Sequence, residues 1–244
     1  MKKAISLYER GSHRWFVIAR DPDKPNCLID TNEYVVTHAG AALLTDPGGL
    51  EIFPAVFSAV SEVIDPAQIG RIFASHQDPD VISSLALWLE FNPNLRCHVS
   101  ALWKSFIPHF GGDENTLLSI ADGGAELDLK GLTLQAMPAH YLHSSGNFHL
   151  WDAEAQILFT GDVGAALLPH ESQDIFVRDF STHIRHAEGF HRRWMGSNAA
   201  KRNWCERAAK LPIDMLCPQH GAIYQGDDVM RFINWFDELK VGLF

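Results

Sequence analysis

Short apolar runs separated by polar turns fill the first part of the chain. Ala4 to Tyr8 and His13 to Arg20 read as strands joined by Glu9-Arg10-Gly11-Ser12, a hairpin pattern. Asp21 to Asn26 carries two prolines and two aspartates and reads as a loop. Glu33 to His38 and Ala41 to Asp46 are two more strands, turned by Pro47-Gly48-Gly49. Leu50 to Ile64 has helical spacing, and Asp65-Pro66 stops it. Arg71 to Ser75 is a short strand, and Asp80 to Glu90 a helix with Leu85, Trp88 and Leu89 on one face. Arg96 to Val99 reads as a strand and Ala101 to Ile107 as helical. Leu132 to Met137, Phe148 to Trp151 and Ile157 to Thr160 are strands. Phe180 to Lys210 predicts two helices broken near Gly196-Ser197-Asn198. Ile213 to Cys217 is the last strand and Asp227 to Leu239 the last helix.

Each half thus runs from strands into helices. That order predicts a mixed α/β (α+β) fold of two packed sheets with helices outside. No Gly-, Ser- or Pro-rich linker divides the chain, so one domain over residues 1–244 is expected. With 244 residues, 46% hydrophobic and 20% charged, the composition excludes disorder and low complexity. No apolar run reaches the ~18–20 residues of a membrane span, and no signal peptide precedes Glu9, so a soluble cytoplasmic protein is expected. The net charge of −10 argues against nucleic acid. Arg192, Arg193, Lys201 and Arg202 form a basic cluster that reads as a solvated helix surface. Cys27, Cys97, Cys205 and Cys217 form no CxxC pair and read as free thiols. Thirteen histidines change the picture, because a histidine-rich acidic chain points to metal.

Their placement sharpens the point. The strand ending at Ser75 runs into His76-Gln77-Asp78-Pro79-Asp80, where His76, Asp78 and Asp80 can converge. Two carboxylates and an imidazole this close favour a cation between them. The same stretch also reads as a polar loop with Asp80 capping a helix. Three further strand exits carry the same residue types: Pro138 to Asn147 with His140 and His143, Gly161-Asp162, and Cys217-Pro218-Gln219-His220-Gly221. Four such exits in one chain are hard to attribute to chance.

The ordered set Thr45-Asp46-Pro47-Gly48-Gly49, His76-x-Asp78-x-Asp80, His143-x-x-Gly146, Gly161-Asp162 and His220-Gly221 resembles the metallo-β-lactamase superfamily. The resemblance covers nearly the whole chain. It implies a four-layer αβ/βα sandwich with a dinuclear metal site at one edge of the sheets. A carboxylate at Asp78, where the zinc hydrolases carry His, resembles the flavodiiron branch and the short oxygen-binding diiron proteins similar to it. That branch usually has Glu at the place of Asp78 and often His at the place of Val81. The resemblance implies that His76, Asp78 and His143 hold a first iron, that Asp80 and His220 hold a second, and that Asp162 bridges them. An oxo or hydroxide group would be a second bridge. Three His and three Asp independently suit iron or manganese better than zinc, though zinc remains an alternative occupant.

The expected function is therefore a non-haem diiron protein that binds dioxygen or nitric oxide. It would be an oxygen sensor or carrier, or a reductase fed by an external redox or signalling protein. A metal-dependent hydrolase of a phosphoester or thioester is the alternative; a member holding metal only for stability is a third. No Gly-rich phosphate loop is present, and no FMN site is expected within this chain. A homodimer is expected. Other residues get structural readings. His183, His186 and His191 are read mainly as helix surface, His149 as structural, and Trp194, Trp204 and Trp235 as core or dimer contacts. His140 is the rival of His143, which is preferred because Gly146 follows it.

Overall fold

The computed structural model describes residues 2–21, 23–24 and 28–242. Cys27 and part of the expected 21–26 loop lie outside the described residues. One sheet orders β1 (Ala4–Arg10), β2 (His13–Ile18), β3 (Glu33–His38), β4 (Ala41–Thr45), β5 (Ile69–Phe73), β6 (Arg96–Ser100) and β7 (Leu117–Ile120) in sequence. Its first four strands are antiparallel, and β4 to β7 run parallel. The second sheet contains β8 (Ala125–Leu129), β9 (Leu132–Pro138), β10 (Phe148–Asp152), β11 (Ile157–Gly161), β12 (Met215–Pro218) and β13 (Tyr224–Gln225). Its order is β13-β12-β11-β10-β9-β8, with β11 and β12 parallel.

Alternating side chains build three apolar layers. In β2, Phe16 and Ile18 face a cluster shared with α1 (Phe53–Ser61), α2 (Pro79–Ile82) and α3 (Leu85–Phe91), where Val56, Val81 and Trp88 are buried. Trp15 and Val17 point the other way, into the space between the sheets with Phe148, Leu150 and Phe159. The outer face of the second sheet, through Trp151, Leu158 and Leu216, packs on α4 (Phe180–Trp194), α5 (Asn198–Ala208) and α6 (Asp227–Glu238). Burial on both faces explains why β2, β3, β10 and β11 read as nearly continuous apolar runs. The result is the helix–sheet–sheet–helix sandwich expected from the sequence. The helix break at Gly196-Ser197 also forms as expected: Asp179 caps α4 through Thr182 N and Ser197 caps α5 through Ala200 N.

Four local expectations need correction. Residues 101–106 form i→i+3 turns rather than a helix, with Phe106 N donating to Trp103 O, and only a short 3₁₀ turn follows at Ile107–Phe110. The expected 80–90 helix is two pieces, because Ser84 N donates across to Gly48 O and Ser84 Oγ to Pro47 O. The strands β7, β8 and β13 had not been expected. Lys201 is not on a solvated surface: it is buried, its ammonium donating to the carbonyls of Asp237 and Leu239 at the end of α6.

No described helix is long and apolar enough to cross a membrane.

Candidate metal centre

The carboxyl ends of β4, β5, β11 and β12 and the loop between β9 and β10 open on one edge of the sandwich. Backbone bonds stitch the sheets together there: Phe148 N donates to Ser75 O at 2.9 Å, and Asn32 N to Gln219 O at 2.6 Å. That edge holds all six expected metal ligands.

Asp162, one residue beyond β11, sits at the centre and is 4% exposed. Its Oδ2 lies 2.7 Å from His143 Nε2 and 3.5 Å from His76 Nε2, and its Oδ1 lies 3.3 Å from His220 Nε2. Asp78 Oδ2 is 3.4 Å from His143 Nε2 and 3.7 Å from His76 Nε2. Asp80 Oδ2 is 3.3 Å from His220 Nε2. His76, Asp78 and His143 each offer an atom within 4.8 Å of the others. His140 does not join them; its Nε2 is 2.9 Å from Asp122 O.

Outer hydrogen bonds fix how two of the rings face inward. His220 Nδ1 is 2.6 Å from Asp30 O, a bond that needs the proton on Nδ1 and leaves Nε2 aimed at Asp80 and Asp162. Ser75 Oγ gives its proton to Asp46 Oδ2 at 2.6 Å and therefore accepts from His76 Nδ1 at 2.8 Å. His76 Nε2 is then also a lone pair, turned toward His143 Nε2 at 3.2 Å. Asp46 belongs to the sequence pattern because it anchors Ser75: it also accepts from Ser75 N at 2.7 Å. Burial drives the Asp46 carboxyl up to about 7, with His76 and the Ser75 bonds pulling the other way.

Imidazole lone pairs facing carboxylates need a cation. Without a metal, protons take that place. Burial lowers the His143 imidazole, but hydrogen bonds to Asp162 and Asp78 outweigh it and raise it to about 10. Burial raises Asp162, but the charges of His76 and His220 and the contact with His143 hold it well below the carboxylate range. Asp162 Oδ1 is buried without a hydrogen-bond partner. A donor set of three imidazoles and three carboxylates with this orphaned oxygen at its centre fits a pair of hard-to-borderline divalent metals.

Above the cluster opens a cavity of about 390 Å³, lined by Leu28, Ile29, Glu51, Ser83, Phe190 and Trp194. Of the two readings for Trp194, core or dimer contact, the first does not hold. It is 53% exposed, its ring edge-on to His143 at 5.3 Å and stacked on Phe190 at 5.9 Å. Trp204, by contrast, is core.

The remaining histidines are less exposed than expected from a helix surface. His183 and His191 are buried, and His191 Nε2 accepts from Gly164 N at 3.0 Å, bracing the turn after Asp162. His149 is buried and structural as expected, with Nδ1 accepting from Trp204 Nε1. Burial pushes His149 down to about 3 and His98, His183 and His191 to about 4. Such groups stay neutral in the fold, whereas in the unfolded chain they take up protons near pH ~6.5. Stability therefore rises with pH across that interval and is lost as pH falls from ~6.5 toward 4. The raised His143 and the Asp46 carboxyl held up at about 7 act in the opposite sense, and the four depressed rings outnumber them. The urea midpoint of the metal-free chain is expected to fall steadily from pH 6.5 to 4.5. A flat profile would show that these four rings titrate normally.

Residues 29–221 match the family model described as ODP family beta lactamase. A structure of a peroxy diiron species of the chemotaxis sensor ODP is 38% identical, with a TM-score of 0.87, covering 98% of this chain and 96% of that one. The apo state of the chemotaxis sensor ODP from T. denticola is 37% identical, with a TM-score of 0.88 and the same coverage. A mutant flavo di-iron protein from Thermotoga maritima is 21% identical with a TM-score of 0.82; the match spans 97% of this chain but 61% of that one, and shows the fold alone. No curated protein matches. The chain belongs to the ODP family, and its fold is the metallo-β-lactamase sandwich.

Proposed function

We propose that this chain is a diiron oxygen sensor. His76, Asp78 and His143 would hold one iron, Asp80 and His220 the other, and Asp162 would be shared. The observation that carries the reading is the convergence of the three Nε2 atoms on Asp162, with the His76 and His220 tautomers set from outside by Ser75 and Asp30. The related chemotaxis sensor, described as a peroxy diiron species, supplies the metal and the ligand class. When bound, a pair of ferrous ions supplies one-electron chemistry toward dioxygen that zinc lacks.

The chain's own residues shape what reaches that centre. Phe190 and Trp194, with Leu28 and Ile29, give the cavity apolar walls above a floor of carboxylates. Such a lining admits an uncharged diatomic and disfavours the anionic substrates of a phosphoester hydrolase, which would meet Glu51, Asp78 and Asp80. The buried free thiols Cys97, Cys205 and Cys217 suit a reducing compartment, the cytoplasm.

Anaerobic titration with ferrous iron should load two ions per chain. Admission of air should then change the near-ultraviolet and visible spectrum. An iron-loaded sample that stays spectrally silent in air would remove oxygen sensing. Uptake of zinc with esterase activity would favour the hydrolase.

A further inference from the structure

We infer that Gln77 is a positioning residue for Asp78, the end of a one-way hydrogen-bond chain that begins at Trp103 and runs through Ser144. What Asp78 holds rests on the diiron reading above; the chain of bonds is a property of the fold.

The direction of each bond follows from the groups present. Trp103 Nε1 can only donate, and it lies 3.1 Å from Ser144 Oγ. Gly146 N donates to the same oxygen at 3.3 Å. Ser144 Oγ thus accepts twice, and its own proton goes to Gln77 Oε1 at 2.7 Å. That bond orients the amide, whose oxygen and nitrogen are otherwise interchangeable by a flip. With Oε1 toward Ser144, Gln77 Nε2 must face Asp78, where it donates to Oδ1 at 2.9 Å. Reversing the amide would set its oxygen against a carboxylate oxygen.

The consequence falls on the other oxygen of Asp78. The torsion that rotates a carboxylate is broad and weakly two-fold, so nothing local decides which oxygen points where. Gln77 engages Oδ1, and it is the other oxygen, Oδ2, that faces His143 and His76 at 3.4 and 3.7 Å. The carboxylate is thereby held in advance with one oxygen for the protein and one for the pocket. Ordering it would otherwise be a cost charged to metal binding.

Gly146 shows that the far end of the chain is built rather than incidental. A Cβ on Gly146 would come within 2.8 Å of Trp103 Nε1 and 2.6 Å of Ser100 Oγ. Only glycine lets the indole reach Ser144. Ser144 itself is 5% exposed, so water does not compete freely for its hydroxyl.

The experiment is a double-mutant cycle on Gln77→Met and Ser144→Ala, read by anaerobic ferrous-iron titration and by thermal unfolding of the metal-free chain. Methionine keeps the length of glutamine and removes both polar atoms. Gln77→Met should weaken one of the two iron-uptake steps by about 10–100-fold, the range for loss of an outer ligand contact. The other step should stay within about twofold, and the metal-free melting temperature within about 2 °C. Ser144→Ala should weaken the same step by a smaller factor, and should add nothing once Gln77 is Met. In the metal-free chain, the indole N–H resonance of Trp103, assigned through Trp103→Phe, should move in Ser144→Ala. Equal weakening of both steps, a drop in metal-free melting temperature that matches the lost affinity, or full additivity of the two substitutions would each overturn the inference. A wild-type chain that takes up no ferrous iron would overturn the diiron reading and this role with it. Two ions bound by wild type and by Gln77→Met with equal affinity would overturn this role alone.

Discussion

Asp162→Ala is expected to strip both irons from the chain. Among the six cluster side chains, Asp162 is the carboxylate that touches all three histidines, at 2.7 Å to His143, 3.5 Å to His76 and 3.3 Å to His220. Asp78 serves only the first pair of rings and Asp80 only His220. Removing the shared anion therefore weakens both halves at once, unlike a change at either outer carboxylate. Metal affinity in such sites is coupled to the arrangement of the deprotonated ligands, so losing the central one leaves little to organise the rest. Asp162→Asn separates charge from shape, because it keeps the side-chain volume in a site that is 4% exposed. Elemental analysis after ferrous loading should fall from two irons per chain to near none in both variants, with circular dichroism unchanged. Two irons retained in Asp162→Ala would show that the carboxylate is not shared.

The parts of this architecture that were legible in the sequence are those in which one residue type has one physical use. Strands buried on both faces must be apolar, so β2, β3, β10 and β11 announce themselves. Aspartate and histidine at the ends of apolar strands are costly unless paired, so His76, Asp78, Asp80, Asp162 and His220 stand out at their exits, while the third exit offers both His140 and His143 and the Gly146 spacing of the family pattern decides for His143. The resemblance supplied the grouping into two sets. What was not legible depends on distant partners. β8, Ala125–Leu129, alternates exposed and buried positions, but its short polar stretch competes with a turn reading until β9 lies beside it. The break between α2 and α3 exists because Ser84 turns to Gly48 and Pro47, far off in sequence. Trp194 has the spacing of a core residue on α4, yet the cavity mouth leaves it half exposed against His143. Val81 occupies a position where the resembling branch often carries His; here its side chain is fully buried in the core against the helices. The supports of the cluster left no signal at all in two cases. Asp30 acts through its backbone carbonyl, and Gln77 sits between two more conspicuous residues.

Gly221→Ala is expected to cost more stability than an ordinary surface substitution and to remove the second iron before the first. Gly221 has φ of +87°, a region in which a side chain is strained. A Cβ there would stand 2.9 Å from both the Cβ and the carbonyl oxygen of Ala166, and 3.0 Å from its nitrogen. Two of these are backbone atoms and the third is a Cβ fixed to that backbone, so none can swing aside. The opposite side is closed as well: Gly221 O accepts from Asn32 Nδ2 at 2.9 Å, and Ala166 N donates to His220 O at 3.2 Å. The turn is clamped between two segments, so relief must come from moving the exit of β12. Backbone strain and overpacking together suggest about 2–5 kcal/mol, or roughly 10 °C in melting temperature for a chain of this size. His220 rides on that exit, whereas His76 and His143 hang from β5 and the β9–β10 loop. Ferrous loading of Gly221→Ala should therefore approach one iron per chain where the protein remains folded. Gly189 provides the internal comparison, since it lies on the exposed face of α4 with nothing within 4 Å of an added Cβ. Gly189→Ala should raise stability by about 0.5–1 kcal/mol and leave two irons in place. Two irons and an unchanged melting temperature in Gly221→Ala would mean that the β12 exit yields easily, and that His220 is not held by the packing of its neighbour.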